Sequence, residues 1–236
     1  MAPALTSLLT LLQLSDSAFP SGRYTLSYGL EALVQSGHLT VPTERSTLIR
    51  LLGDTVRFGA APSDGLALAW AHRAVGEAGA DLELLTQVDT RLTAVKLPRE
   101  VRAASTRTGR AALATATAAI DRSPLHDYAE RVRRGASPGN HAVVIGLVSA
   151  LLGVPCLDAV VGDLYAFSSS WVGAAVRLGL VDHRGAQALL HRTQPAIAAA
   201  ALDVADRNAD QISSCTPFLD VMAMHHEQAE LRLFAT

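Results

Sequence analysis

The clearest chemistry-bearing cluster lies near the end of the chain, where His225-His226-Glu227 is followed by Glu230. His226 and Glu230 are spaced i,i+4 and share a helix face. Two ligands leave a metal site incomplete, and no third histidine or carboxylate stands nearby at a recognised spacing. His226 also aligns with Leu219, Met222 and Leu233 on an apolar stripe, the placement of a half-buried histidine bonded to a neighbour. An acid–base pair of His226 and Glu227 is the enzymatic alternative. Gly135-Ala136-Ser137-Pro138-Gly139 matches G-x-S-x-G, the turn that carries a hydrolase nucleophile. That turn needs a strand before it, whereas residues 129–134 read as helix. The residue after the serine must also lend its N–H to the oxyanion, and Pro138 has none. The segment is read as a turn. Lys96 is the only lysine and follows Val95, so no phosphate-cradling Gly-Lys loop exists. Cys156 and Cys215 each stand alone, as buried thiols do. These residues supply no catalytic set, no cofactor site and no metal site.

Between Lys96 and Arg134 lie eight Arg and one Lys against Glu100, Asp121, Asp127 and Glu130. An RNA-binding face is one reading of this excess. Apart from Tyr128 no aromatic interleaves it, so a stacking platform is missing. A solvated helix surface, or a rim for an acidic protein partner, fits better. The formal net charge of −2 gives no case for nucleic acid or an anionic membrane as partner.

The elements that must position these residues read as helices throughout. Leu5, Leu8, Leu9 and Leu12 share one face of a first helix over 5–14. A second helix is expected over 25–35, closed by Ser36-Gly37. A third opens at Pro42-Thr43, and a fourth at Pro62-Ser63-Asp64, running to about Glu77. Others are expected over 81–95, from Pro98 to about Asp121, from Pro124 to the Arg131–Arg134 run, over 141–153 and over 157–178. Two more, 182–191 and 195–208, precede a last helix with Thr216 as N-cap and Pro217 at its first position. Strand signals are scarce. About ten helices with short links make one all-α bundle and one domain over residues 1–236. The longest uncharged apolar run, 142–154, is short of the ~20 residues a bilayer needs. The start has no basic n-region of a signal peptide. With 49% hydrophobic residues a large core is available, and two unpaired cysteines suit a reducing, cytoplasmic setting.

Two stretches stand apart. In Leu12 to Gly37, Pro20-Ser21-Gly22 is a turn with a physical cause, and Phe19 sits in it where only something covering it would favour an aromatic. Tyr24 and Tyr28 follow, two of only four tyrosines. The end of the chain carries Leu231-Arg232-Leu233-Phe234, residue types that anchor interfaces. Both chain ends therefore read as docking elements.

These stretches resemble the urease accessory protein UreF family. LLQLSDSAFPSGRYTLSYGLEALVQSG, Leu11 to Gly37, is similar to its opening L-Q-x-x-D-x-x-F-P-x-G-x-x-x-x-S-x-G-L-E pattern. Ser105 to Leu113 and His141 to Leu190 match internal blocks. Pro217 to Thr236 is similar to the closing L-D-x-x-x-M-x-H-E-x-x-x-x-R-L-F. The resemblance implies an all-α homodimer that is not an enzyme. It implies a scaffold bridging a UreD/UreH-type accessory protein and the UreG-type GTPase, coupling GTP hydrolysis to nickel insertion into apo-urease. It places GTPase recruitment on Tyr24 and Arg232. Phe19, Ser27, Gly29, Leu30 and Glu31 match the opening motif, and His226, Glu227, Leu233 and Phe234 the closing one. Residues 1–22 become a partner-docking arm and 231–236 a docking tail, the UreD-type protein contacting the first helix and the tail. Arg23 departs from the small or polar residue common at its place.

Overall fold

A computed structural model of the chain describes residues 2–20, 22–77, 79–229 and 232–235. Ser21, Glu230, Leu231 and Thr236, all used in the sequence reading, lie outside them, as do Met1 and Ala78. The fold is all-α, with elements in the order α1 (Ala2–Ser15), α2 (Leu30–Gln35), α3 (Arg45–Asp54), α4 (Leu66–Arg73), α5 (Leu82–Val95), α6 (Arg99–Ala119), α7 (Ser123–Arg133), α8 (His141–Leu151), α9 (Cys156–Arg177), α10 (His183–Ala205) and α11 (Pro217–His226).

The apolar α8 and α9 form the centre. Val143, Val144, Leu147, Leu164 and Trp171 are fully or almost fully buried there. By length and composition α9 could cross a bilayer, yet most of it is buried against its neighbours. Small residues let backbones approach. A Cβ on Gly146 would stand 2.4 Å from the Leu68 carbonyl oxygen, and one on Gly109 would stand 2.0 Å from that of Gly139. Gly162 does the same for α1, where its added Cβ would meet Leu11 Cδ1 at 2.4 Å. The α1 helix therefore rests Leu11 and Leu14 on the core and turns Leu5, Leu8, Leu9 and Leu12 outward.

Four expectations are corrected. The second helix does not begin at Thr25. Arg23–Thr25 is a single 3-10 turn, and Tyr28 (φ 54°) and Gly29 (φ 84°) are both left-handed, so α2 starts only at Leu30. Pro62 opens no helix. Thr55–Gly65 is a wide π-type segment that joins α3 to α4 without a break. Pro62 cannot donate to the Phe58 carbonyl one α-turn back; that oxygen accepts from Cys215 N–H at 2.9 Å, and the Pro62 carbonyl accepts from Ser213 N–H at 3.1 Å. Pro195 likewise lies inside α10, whose packing along α9 overrides the break, with Leu189, Ile197, Ala201 and Val204 buried on either side. A small antiparallel hairpin, β1 (Val75–Gly76) with β2 (Gly79–Ala80), occupies what read as the end of the fourth helix. Where side-chain chemistry agreed with the period, ends were as expected: Asp81 caps α5 by accepting from Glu83 N–H and Leu84 N–H. Thr216 is the N-cap residue of α11 without a side-chain cap hydrogen bond, and Pro217 follows at the first position.

The G-x-S-x-G segment follows a helix and is a loop folded around a buried carboxylate. Asp89 accepts from Tyr128 Oη (2.7 Å), Ser137 Oγ (2.6 Å), Gly139 N–H (2.6 Å) and Asn140 N–H (2.9 Å). Five donors, counting Asn140 Nδ2, satisfy a carboxylate that makes no ion pair among the described residues. Burial first, and the Asp89 charge second, raise the Tyr128 phenol well above its ordinary range.

Candidate functional site

The two chain-end motifs meet on Glu31. Positive φ at Gly29 aims the start of α2 inward, and Glu31, in its first turn, is 1% exposed. Its carboxylate accepts from His226 Nε2 (2.9 Å), Leu233 N–H (2.7 Å), Phe234 N–H (3.1 Å) and Gln35 Nε2 (3.3 Å). His226, at the end of α11, is also fully buried, and its Nδ1 lies 2.9 Å from Glu100 Oε2. Both ring nitrogens lie within hydrogen-bond distance of a glutamate oxygen. Glu100 also pairs with Arg232, and Arg232 Nη2 donates to the Glu227 carbonyl at 3.1 Å. The Glu227 side chain accepts from Glu100 N–H at 3.0 Å, where it meets the positive end of α6, and lies 3.5 Å from Arg99. His226 and Glu227 are thus engaged in separate structural contacts.

A second junction lies beside it. The Arg177 guanidinium, in the last turn of α9, is 4.0 Å from the Tyr24 ring centroid and 4.5 Å from that of Phe234. It also donates to the Tyr24 carbonyl. Ala235 N–H donates to Thr25 O at 2.8 Å, so the tail pairs with the 3-10 turn. The turn is pinned from below, Ser170 Oγ donating to Arg23 O at 3.1 Å. Arg23 itself points into the protein and pairs with Asp163 at 2.9 Å. Burial alone would lower its guanidinium, but Asp163, Tyr28 and Asp64 outweigh burial and raise it.

The expected site residues therefore divide. Tyr24 (70% exposed), Leu233 (80% exposed) and Arg232 lie at the surface. Ser27, Leu30, Glu31, His226 and Phe234 are buried, Phe19 is partly buried against the core, and Glu227 is half-buried. Glu31, His226 and Glu227 hold the exposed set in place. Sequence reasoning missed Arg177 and Glu100. Arg177 is 153 residues from the Tyr24 carbonyl it binds, and no local pattern marks it. Among the described residues no group of three His, Cys, Asp or Glu is placed to hold a metal ion. The arginine-rich stretch is partly neutralised, with Arg133 and Arg134 on Glu130 and Arg131 on Glu83.

Comparison with known proteins bears on the same two motifs. The UreF family model matches residues 43–194, more than half of the 236 residues. The chain belongs to the UreF family. It is 34% identical over 234 residues to the urease accessory protein UreF of Trichodesmium erythraeum (strain IMS101), covering 96% of each chain. It is 33% identical over 231 residues to urease accessory protein UreF 2 of Brucella canis, covering 98% of this chain and 93% of that one. With the UreF of Arthrobacter sp. (strain FB24) it shares 30% over 237 residues, covering 99% of each. Both the Glu31 and the His226 motifs fall outside the span matched by the UreF family model, but the alignments with whole UreF chains extend over nearly the full length.

Proposed function

We propose that this chain is a non-enzymatic scaffold of urease maturation. It bridges a UreD/UreH-type accessory protein and the UreG-type GTPase, and so couples GTP hydrolysis to nickel insertion into apo-urease. It works as one domain, as a homodimer, in the cytoplasm. The observation that carries the reading is the junction of the two chain ends on Glu31 and Arg177. It presents Tyr24, Arg232 and Leu233 at the surface and spends His226 and Glu227 on holding them. In this reading Tyr24 and Arg232 meet the GTPase. The outward leucines of α1, within the arm 1–22, and the tail 231–236 meet the UreD-type protein. Apolar faces rimmed by polar residues are what partners cover.

The test is size-exclusion chromatography with light scattering. The chain is run alone, then with the cognate UreD-type protein, then with the GTPase and a GTP analogue. A stepwise gain in mass to a ternary complex is expected. Tyr24→Ala and Arg232→Ala are expected to keep the first step and weaken the second. Well-folded components that form no complex in any nucleotide state overturn the reading.

A further inference from the structure

Behind the chain-end junction lies a cavity of ≈ 160 Å³. Leu26 and Tyr28 of the opening motif line it with Leu219 of α11, and α6, the π segment, α9 and the start of α8 add to the wall. The lining is mostly apolar and carries two closed ion pairs, Arg23 with Asp163 at 2.9 Å and Lys96 with Asp64 at 2.6 Å. It also carries polar atoms that nothing satisfies. His141, the first residue of α8, is 5% exposed; among the described residues its ring nitrogens make no hydrogen bond of ordinary geometry, only a looser approach to the Thr108 backbone. The nearest carboxylate oxygen, Asp163 Oδ1, is 3.7 Å from its Nε2. Ser105 Oγ, buried on the α6 side, is also without a partner. Buried polar groups are normally paired, and here three unpaired atoms share one cavity.

Size and charge restrict what completes them. A cavity of about 150 Å³ takes a benzene-sized molecule. Burial above all, and then the Arg23 charge, hold the His141 ring well below its ordinary range; Lys96 adds to this, while the Thr108 backbone and Asp64 oppose it. A metal ion or an ammonium group would find Asp163 and Asp64 already paired and would lose its water in a mostly apolar lining. An anion would find Arg23 and Lys96 already paired and Asp220 beside it. The neutral imidazole offers one donor and one acceptor, as does the serine hydroxyl.

We infer that this cavity binds a small uncharged carboxamide, its C=O and NH₂ on His141 and Ser105 and its alkyl part among Leu26, Leu164 and Leu219. The guest touches both chain-end elements, so occupancy braces the junction from inside. The inference is independent of the maturation role, since its test uses the chain alone.

Isobutyramide, isobutyrate and isobutyramidine share one shape and differ in charge. Each is titrated into the full-length protein to about 50 mM, above the millimolar affinity that six heavy atoms support. The His141 ring resonances are followed by NMR and assigned with His141→Phe. Saturable movement with the amide is expected, with at least about tenfold weaker response to the two charged isosteres. Ser105→Ala is expected to weaken the amide by several-fold and His141→Phe to abolish its binding. If His141→Phe does not fold, Ser105→Ala carries the test. Resonances that do not move, as for a cavity filled by water only, overturn the inference. So do equal responses to all three compounds, or an amide affinity unchanged by the substitutions.

Discussion

Replacing Glu31 with Ala removes one carboxylate from four donors at once. The consequences differ by donor. Leu233 is at the surface, so when the tail lifts, the Leu233 and Phe234 amides regain water and their loss is limited to the docking energy. His226 has no such escape. Its ring is fully buried and keeps only Glu100. Leaving a buried donor unpaired costs about 1–3 kcal/mol, and more where the lost partner is charged. With Glu100 still in place, about 3 kcal/mol is expected for Glu31→Ala. In a chain of this size that lowers Tm by about 6–12 °C. Glu31→Gln keeps one acceptor oxygen but turns an NH₂ toward a donor, and about half the loss is expected. Thermal melts read the first number, and amide exchange at Leu233 and Phe234 reads the second effect. Both amides should lose protection under conditions where α8 keeps its own. A Tm change under about 2 °C with tail protection intact would refute the assignment of Glu31 as the joint.

Three further outcomes follow from the geometry. Arg177→Ala leaves the bundle folded but removes two cation–π contacts of about 0.5–1 kcal/mol each; Ala235 amide exchange quickens, and the ternary complex weakens in chromatography. Arg177→Lys behaves nearer Ala than wild type, because an ammonium does not stack between two rings. Gly162→Ala forces a Cβ onto Leu11 and Ser15 and loosens α1, read as faster limited proteolysis within residues 2–15 with Tm changed by only a few degrees. The His141 ring is held below its unfolded value, so the unfolded chain takes up the proton first. Stability that is full above about pH 6.5 then falls as pH drops, by up to about 1.4 kcal/mol per pH unit. Denaturant midpoints for His141→Asn should fall less between pH 6.5 and 5 than those of the parent.

The sequence carried the helices wherever local chemistry and hydrophobic period agreed, as at Asp81 before α5 and Pro98 before α6. It misled at Pro62 and Pro195, each taken as the opening of a new helix. Pro62 and Pro195 are tolerated because distant partners compensate, Ser213 and Cys215 pairing with the π segment and α9 packing along α10. A local reading cannot see a partner 150 residues away. The same holds at the site. The motif residues were identifiable by resemblance, yet their division into a buried frame and an exposed face depends on which way α2 points. That direction is set by left-handed Gly29 together with left-handed Tyr28, a conformation rare for a tyrosine and unreadable from its type.

The Glu31–Leu233 contact has a meaning for the order of folding. It closes a span of 202 residues. Closing so long a loop is entropically unfavourable until the intervening helices have already shortened it. The tail therefore seats last, after α3 to α11 have formed. A partner that requires Tyr24 and Phe234 side by side around Arg177 then recognises a finished bundle and passes over a half-folded one.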